Sequence, residues 1–241
     1  MDLRGIVLAG GTGSRLMPLT KVTNKHLLPV GQKPMIFYPI EKLTAIGIEE
    51  ILIVTGVEHM GDVVSLLGSG RNFGCRFTYK VQDEAGGIAQ ALALAENFAD
   101  GHPLVVILGD NIFHANLKSY ADKFIAQQAG ARILLKQVPY PQRFGVAELA
   151  EGRIIGIEEK PEQPKSDYAV TGIYFYDAAV FDIIRKLQPS GRGELEITHV
   201  NLAYIAKDQL AYDIIDGWWT DAGTFESLNR GNELVAKEPP V

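Results

Sequence analysis

Cysteine is almost absent from this 241-residue chain, which contains one, Cys75. A single thiol excludes a disulfide within the chain and any metal site built from several cysteines. Basic residues are not in excess either, because 23 Lys and Arg stand against 29 Asp and Glu, for a formal net charge of −6. We therefore expect neither a general nucleic-acid binder nor a protein of anionic membrane surfaces.

Long apolar runs are also missing. The longest, such as residues 103–108, have the length of a strand and fall far short of a membrane span. The N-terminus passes directly into a strand pattern, without the charged and apolar regions of a signal peptide. Together with the lone cysteine, these features predict a cytoplasmic protein with no membrane contact.

The residues that are present are those of a folded domain. The chain is 46% hydrophobic and 22% charged, which is typical of a globular protein with a sizeable core. Glycine is enriched, at 25 of 241 residues against about 7% on average. No linker-like stretch precedes residues 237–241, so the sequence predicts a single domain over 1–241.

Strand and helix patterns alternate through the first half of the chain, which predicts an α/β fold. The expected strands are 5–9, 51–55, 77–82 and 104–108, and the expected helices are 34–46, 61–67, 88–95 and 117–128. Short connections between them favour a Rossmann-like, mostly parallel central sheet with helices on both faces.

The second half changes character and predicts an inserted antiparallel portion. Its expected strands are 131–138, 146–149, 154–159, 171–176 and 210–215, and its expected helices are 178–187, 196–206 and 224–236.

The densest glycine cluster, Gly10-Gly11-Thr12-Gly13-Ser14-Arg15, follows the first strand. Glycines there allow backbone N–H groups to approach a phosphate closely. The loop fits neither common phosphate motif, since a dinucleotide fingerprint needs glycine at Leu16 and a Walker loop begun at Gly5 needs lysine at Gly11. Arg15 and Lys25 could neutralise a polyphosphate, while a tight turn with two solvated cations is the alternative.

Two aspartates are candidate metal ligands. Asp110 ends the apolar strand 104–108, and therefore lies at the carboxyl edge of the sheet, where α/β proteins bind ligands. Asp221 precedes the last helix. Carboxylates suit Mg²⁺, although each aspartate could instead be a helix cap or a turn residue.

The glycine cluster extends into a longer motif. Residues 10–20, Gly-Gly-Thr-Gly-Ser-Arg-Leu-Met-Pro-Leu-Thr, together with residues 25–29, Lys-His-Leu-Leu-Pro, resemble the signature of the sugar-phosphate nucleotidyltransferase family. Further blocks that resemble the family follow in order at 86–91, 108–113, 158–161, 168–177, 192–198 and 219–224. The resemblance thus covers nearly the whole chain.

This resemblance implies the nucleotide-diphospho-sugar transferase fold and an enzymatic activity. It is strongest to members that transfer a thymidylyl group from dTTP to α-D-glucose 1-phosphate, giving dTDP-glucose and pyrophosphate with Mg²⁺ as cofactor. It also implies a homo-oligomer. Longer members continue into a C-terminal segment that helps to build a regulatory nucleotide site, so this chain resembles the short form, with that site absent or altered.

The resemblance assigns roles to individual residues. Arg15, Lys25 and Lys160 are implied as catalytic, and Asp110 and Asp221 as the Mg²⁺ ligands. The implied nucleotide-binding residues are Leu8, Gly10, Gly11, Thr12, Gly13, Ser14, Arg15, Lys25, Gln82, Gly87 and Asp110. The implied sugar-phosphate-binding residues are Asn111, Gly145, Glu159, Lys160, Val170, Tyr174 and Arg192. Residues 1–130 would thus bind mainly the nucleotide, and residues 131–241 mainly the sugar phosphate.

Several of these positions have a simpler interpretation from the residues alone. Gln82 can be a surface glutamine and Gly87 a helix-start glycine. The pair Glu159-Lys160 can be a solvated charge run, and Arg192 an ordinary exposed arginine. Phe144 stands where the family usually has tyrosine, so that phenol's hydrogen bond is lost.

Two further functions compete with the expected one. The same chemistry could use UTP or another sugar 1-phosphate, because base choice depends on few contacts around Gln82. A non-catalytic sensor of nucleotide sugars would use the same pocket, but it has no need of a pyrophosphate-directed arginine. The five histidines show no metal-ligand spacing, so we expect no role for them.

Overall fold

The computed structural model describes residues 2–241, which form a central sheet covered by helices. The strands are β1 (Arg4–Ala9), β2 (Pro29–Val30), β3 (Lys33–Pro34), β4 (Glu50–Gly56), β5 (Arg76–Gln82), β6 (Leu104–Leu108), β7 (Asn111–Phe113), β8 (Ala131–Gln137), β9 (Gly145–Ala150), β10 (Arg153–Glu159), β11 (Tyr168–Tyr176), β12 (Leu210–Ile214) and β13 (Trp219–Asp221). The helices are α1 (Phe37–Ala45), α2 (Met60–Leu67), α3 (Ile88–Ala93), α4 (Glu96–Ala99), α5 (Lys118–Gln127), α6 (Val180–Ile184), α7 (Ile197–Ile205) and α8 (Phe225–Lys237).

The main sheet has nine strands and joins a parallel half to a largely antiparallel half. Strands β5, β4, β1 and β6 lie side by side and parallel. Strand β11 pairs antiparallel with β6, β8 and β9, and β10 continues the sheet beyond β9. Strand β12 pairs parallel with β8. The predicted mostly parallel α/β sheet with an antiparallel insertion is therefore confirmed.

Strand β1 explains how the two faces of the sheet are covered. Ile6 and Leu8 belong to a buried cluster with α3, α6 and α7, whereas Val7 and Ala9 belong to a second cluster with α1, α2 and α5. Successive side chains of a strand point to opposite faces, so a strand buried on both sides is apolar throughout. Burial on both faces therefore explains why β1 contains a continuous apolar run.

Several element boundaries differ from the sequence expectations. The helix expected over 34–46 begins at Phe37, because Pro34 belongs to β3, which pairs with β2. The helix expected over 88–95 ends at Ala93, and α4 follows it separately. The helix expected over 178–187 shortens to the span of α6. Helix propensity extends across these ends, but tertiary contacts set the boundaries.

A short two-stranded ladder outside the main sheet was not predicted. Strands β7 and β13 pair antiparallel, with Asn111 opposite Asp221 and Phe113 opposite Trp219. The ladder is extended by a hydrogen bond from Ala222 N to Asp110 O, 2.8 Å long. It therefore brings Asp221 beside Asp110, although the two aspartates are far apart in the chain.

Among residues 2–241, the helices are too short or too polar to cross a membrane.

Replacing Tyr176 with phenylalanine should destabilise the fold. The Tyr176 hydroxyl donates to Asn201 Oδ1 over 2.7 Å, and both residues are fully buried. Asn201 Nδ2 already has no partner among the described residues, so the variant leaves the whole amide unsatisfied. We expect Tyr176→Phe to lose about 1–3 kcal/mol of unfolding free energy in urea. Tyr140→Phe is the control, because Tyr140 is 60% exposed; equal stability of the two variants would contradict the prediction.

Candidate active site

A cavity of about 330 Å³ opens at the carboxyl ends of β1, β5 and β6 and is closed on its other side by β9, β11 and α7. Most of the residues implied by the resemblance line it: Leu8, Gly10, Gly11, Arg15, Lys25, Gln82, Gly87, Asp110, Asn111, Gly145, Glu159, Lys160, Val170, Tyr174 and Asp221. Thr12, Gly13, Ser14 and Arg192 do not line it. The two halves of the chain thus contribute to one concave site.

The glycine loop takes a shape that glycine makes possible. Gly11 and Gly13 have φ angles of 91° and 62°, a region that L side chains rarely adopt. A Cβ at Gly13 would lie 2.8 Å from Thr20 Cγ2, and Gly13 O accepts a hydrogen bond from Thr20 Oγ1 over 2.8 Å. Gly13 therefore shapes the loop from behind, while Thr12 and Ser14 do not reach the cavity.

An ion pair joins the glycine-loop region to the end of β6. Lys25 Nζ lies 2.7 Å from Asp110 Oδ2, and the two side chains are 14% and 13% exposed. Burial alone would raise the pKa of Asp110, but the Lys25 ammonium and the hydrogen bond from Asn111 hold that pKa well below its usual range. Asp110 is therefore a carboxylate at neutral pH.

His26 is a buried residue of the site for which the sequence predicted no role. Burial, followed by the charge of Lys25, lowers the pKa of His26 to about 3, so the imidazole is neutral at pH 7. Its Nδ1 lies 2.7 Å from Asn24 Oδ1, and its Cδ2 would be 2.7 Å from a Cβ at Gly109. His26 thus fills the space beneath the turn that carries Asp110. The position of His26 within the 25–29 motif could have indicated a role at the site.

Asp110, Asp221 and Arg15 surround the small space left by Gly223. A Cβ on Gly223 would lie 3.3 Å from Asp221 Oδ2, 3.5 Å from Asp110 Oδ2 and 3.1 Å from Arg15 Nη2. Burial and the charge of Asp110 raise the pKa of Asp221, against the opposing effects of Arg143 and Arg15. Two carboxylates that repel each other beside an open space are a suitable pair of ligands for a cation.

Asn111 orients this cluster from beneath. Its Nδ2 donates to Asp110 Oδ1 over 3.1 Å, and its Oδ1 accepts from Gly172 N over 3.0 Å and from Trp219 Nε1 over 2.7 Å. The amide therefore ties β7 to β11 and β13, and the residue is 2% exposed. Its predicted contact with the sugar phosphate stays a prediction, while its hydrogen bonds to protein groups are observed.

The opposite wall carries a second charged group around Glu159. Thr198 Oγ1 donates to Glu159 Oε2 over 2.7 Å, and Lys160 Nζ lies 3.6 Å from Glu159 Oε1. Lys160 has a φ of 45°, and its N–H donates to Phe144 O over 3.0 Å, so backbone geometry directs this lysine. A Cβ on Gly145 would approach Glu159 Oε2 to 3.3 Å. These residues form a polar wall fit for hydroxyl groups.

Arg192 lies at the rim, held by carboxylates. Its Nε and Nη2 donate to Glu196 over 3.0 and 2.8 Å, and Nη2 also lies 3.4 Å from Glu159 Oε1. Glu196 is 7% exposed and accepts a further hydrogen bond from Ser190 Oγ. Arg192 is therefore part of a charged network at the cavity edge and is not an isolated exposed arginine.

The other cavity-lining residues that sequence reasoning missed include Arg143, Thr198 and Trp219. Arg143 acts on Asp221 electrostatically, and the Trp219 ring meets Phe144 edge-on with 5.2 Å between centroids. Trp219 belongs to the same strand as Asp221, β13. Arg143 could have been found from its place directly before Phe144-Gly145.

Comparisons with known proteins agree with this geometry. The family model described as nucleotidyl transferase matches residues 4–238. The chain belongs to the nucleotidyl transferase family. Glucose-1-phosphate thymidylyltransferases from Neisseria meningitidis and from Actinoplanes are 44% and 43% identical to it, over 97% of this chain and 82% and 78% of theirs. Within the family it groups with these glucose-1-phosphate thymidylyltransferases.

Solved structures give the same result for the fold. A Bacillus anthracis protein described as a candidate glucose-1-phosphate thymidylyltransferase, crystallised with sucrose, has a TM-score of 0.93 and 59% identity. The alignment covers 96% of this chain and 94% of that one. A UDP-glucose pyrophosphorylase bound to UDP-glucose has a TM-score of 0.85 at 26% identity, over 98% and 99% of the two chains. The expected nucleotidyltransferase fold is confirmed.

Removing Lys25 should destabilise the folded protein in a pH-dependent way. The pKa of Asp110 is lower in the folded than in the unfolded chain, so the ion pair stabilises the fold at neutral pH and is lost as pH falls through the folded pKa. In Lys25→Met, burial would instead raise that pKa. We expect a loss of about 3–5 kcal/mol at pH 7 that begins to shrink once pH falls through the raised pKa of Asp110 in the variant, which lies above the ordinary value of about 4.

The measurement is urea unfolding of both proteins in EDTA between pH 3 and pH 7. Lys21→Met is the control, because Lys21 lies on the same segment but is exposed. A stability difference that stays constant across this pH range would contradict the prediction.

Proposed function

We propose that this protein transfers a thymidylyl group from dTTP to α-D-glucose 1-phosphate, releasing dTDP-glucose and pyrophosphate. The arrangement of Asp110, Asp221, Arg15 and Lys25 around one open space, beside a glycine loop, is the observation that carries the proposal. Those charges suit a triphosphate, whose negative charge shifts toward the leaving pyrophosphate during transfer. The names of the curated relatives supply the nucleotide and the sugar.

The reaction needs no nucleophile from the protein. A phosphate oxygen of the sugar phosphate attacks the α-phosphorus of dTTP in line, and the bond to pyrophosphate breaks. In the proposed mechanism Arg15 neutralises the charge that develops on pyrophosphate, and Lys25 stabilises the triphosphate. Lys160 and Arg192 orient the attacking phosphate. Catalysis then consists of positioning and charge neutralisation.

Asp110 and Asp221 would hold Mg²⁺. The fit is supported by the space at Gly223, because an added Cβ would come within 3.5 Å of an oxygen of each carboxylate. Mg²⁺ prefers carboxylate and phosphate oxygens, so two protein ligands and the substrate phosphates form an appropriate set. When bound, the ion would supply positive charge at the α-phosphate.

The two halves of the chain divide the substrates in this proposal. Residues 1–130 provide the glycine loop, Gln82 and Gly87 for the nucleotide, with Leu8 beneath the base. Residues 131–241 provide Gly145, Glu159, Val170 and Tyr174 around the sugar, and Asp221 completes the metal site. A homo-oligomer and a cytoplasmic location are further predictions from the sequence.

The same chemistry with UTP is the second candidate, because the chain resembles a UDP-glucose pyrophosphorylase along nearly its full length. Pyrophosphate release should be measured with a panel of nucleoside triphosphates and sugar 1-phosphates. We expect the highest kcat/KM with dTTP and α-D-glucose 1-phosphate, and no turnover in EDTA or without the sugar phosphate. A preference for UTP would favour the second candidate, and binding without any turnover would favour a nucleotide-sugar sensor.

Arg15→Ala should nearly abolish turnover without unfolding the protein. Arg15 is exposed, so the fold does not depend on it, but the charge it places beside the pyrophosphate is lost. Loss of one preorganised group of this kind lowers kcat by about 10²–10³-fold. Lys21→Ala, an exposed charge on the same segment, is the control and should keep full activity. Near-normal turnover of Arg15→Ala would refute this role.

A further inference from the structure

The side-chain amides of Gln82 and Gln90 are locked in one orientation by the backbone. Gly86 N–H donates to Gln90 Oε1 over 3.0 Å, and a backbone N–H can only donate, so the oxygen of Gln90 must face it. The same Gln90 oxygen lies 2.7 Å from Gln82 Nε2. A carbonyl oxygen accepts only from a donor, so the nitrogen of Gln82 must face Gln90.

A second backbone contact fixes Gln82 independently. Gln82 Nε2 also donates to Gly87 O over 3.2 Å, and a carbonyl at that place requires the nitrogen there. Both hydrogens of the Gln82 amide nitrogen are therefore used, one by Gly87 and one by Gln90. Turning the amide over would set oxygen against oxygen at both contacts.

The free end of Gln82 is consequently its oxygen. No residue in the described range 2–241 donates a hydrogen bond to Gln82 Oε1, and Gln82 lines the cavity. This oxygen lies against Gly10, where an added Cβ would come within 2.7 Å of it. The glycine leaves the oxygen accessible beside the loop, so the cavity presents a hydrogen-bond acceptor and no donor from this amide.

We infer that Gln90 is a specificity-determining positioning residue, which selects bases that carry N–H at ring position 3 by holding Gln82 Oε1 toward the base. The inference rests on the proposed function and deepens it. Thymine and uracil carry that N–H and can donate to Gln82 Oε1. Cytosine in the same position turns the lone pair of its N3 toward that oxygen, so two acceptors oppose each other. Gln90 does not line the cavity and acts through Gln82.

The test compares the wild-type protein with Gln90→Leu and Gln90→Glu. Leucine removes the acceptor at similar size, whereas glutamate keeps an acceptor for both Gly86 N–H and Gln82 Nε2. The measured quantity is kcat/KM for dTTP, dUTP and dCTP in pyrophosphate release with α-D-glucose 1-phosphate and Mg²⁺. A purely structural role would change all three nucleotides together, so their ratios are the informative readout.

We expect the ratio of dTTP to dCTP to fall about 10- to 100-fold in Gln90→Leu, the usual scale of discrimination by one well-placed hydrogen-bonding side chain. Gln90→Glu should keep the wild-type ratio. The ratio of dTTP to dUTP should be the same in all three proteins, since both bases carry the N3 hydrogen. An unchanged dTTP to dCTP ratio in folded Gln90→Leu, or an equal loss in Gln90→Glu, would overturn the inference.

A wild-type measurement keeps the inference testable if Gln90→Leu does not fold. N3-methyl-dTTP lacks the donor, so it should bind at least about 10-fold more weakly than dTTP by calorimetry; equal binding would overturn the inference. Calorimetry also separates the two hypotheses. Wild-type protein that binds dTTP more tightly than dCTP but releases no pyrophosphate would refute the proposed function and leave the base selection supported.

Discussion

Two carboxylates that repel each other are held together at the centre of this site, and much of the surrounding structure serves to keep them there. Asp110 and Asp221 both approach the space at Gly223. Burial, and after it the like charge of Asp110, raises the cost of ionising Asp221 and with it the pKa of that carboxyl. The β7–β13 ladder supplies the hydrogen bonds that fix the backbone, and Lys25 supplies the opposing charge for Asp110. The ladder sets Asp221 opposite Asn111 and therefore next to Asp110.

The sequence predicted the central strands β1, β4 and β6 well because they are apolar runs, which is the composition expected of a strand buried on both faces. It could not predict the β7–β13 ladder. Such short strands show no period, and nothing in residues 219–221 indicates pairing with residues 111–113. The two aspartates were paired only by family resemblance, since distance along the chain says little about distance in space. The structure gives the physical basis of that pairing: in the antiparallel β7–β13 ladder, Asp221 lies opposite Asn111, the neighbour of Asp110.

It was also easier to predict which residues line the cavity than which contacts their side chains make. The expected contact of Asn111 with the sugar phosphate stays a prediction, whereas its hydrogen bonds with Asp110, Gly172 and Trp219 were not predicted. His26 was assigned no role, although its ring fills the space beneath Gly109. Both roles arise from contacts between segments that are distant in the chain. Local patterns carry no information about such contacts, whereas helix and strand periodicity does arise locally.

The two sides of the cavity differ in how firmly their polar groups are set. On the proposed nucleotide side, backbone N–H and C=O groups at Gly86 and Gly87 fix the amides of Gln82 and Gln90, and backbone groups of a loop cannot rotate freely. On the proposed sugar side, the side chains of Lys160 and Arg192 are 48% and 42% exposed; Lys160 pairs with Glu159, whereas Arg192 pairs mainly with the buried Glu196. Ion pairs between exposed side chains contribute little stability and exchange partners readily. In the proposed function, an incoming phosphate can therefore replace the carboxylate at Lys160 with little loss, while the base meets an edge whose donors and acceptors are already in place.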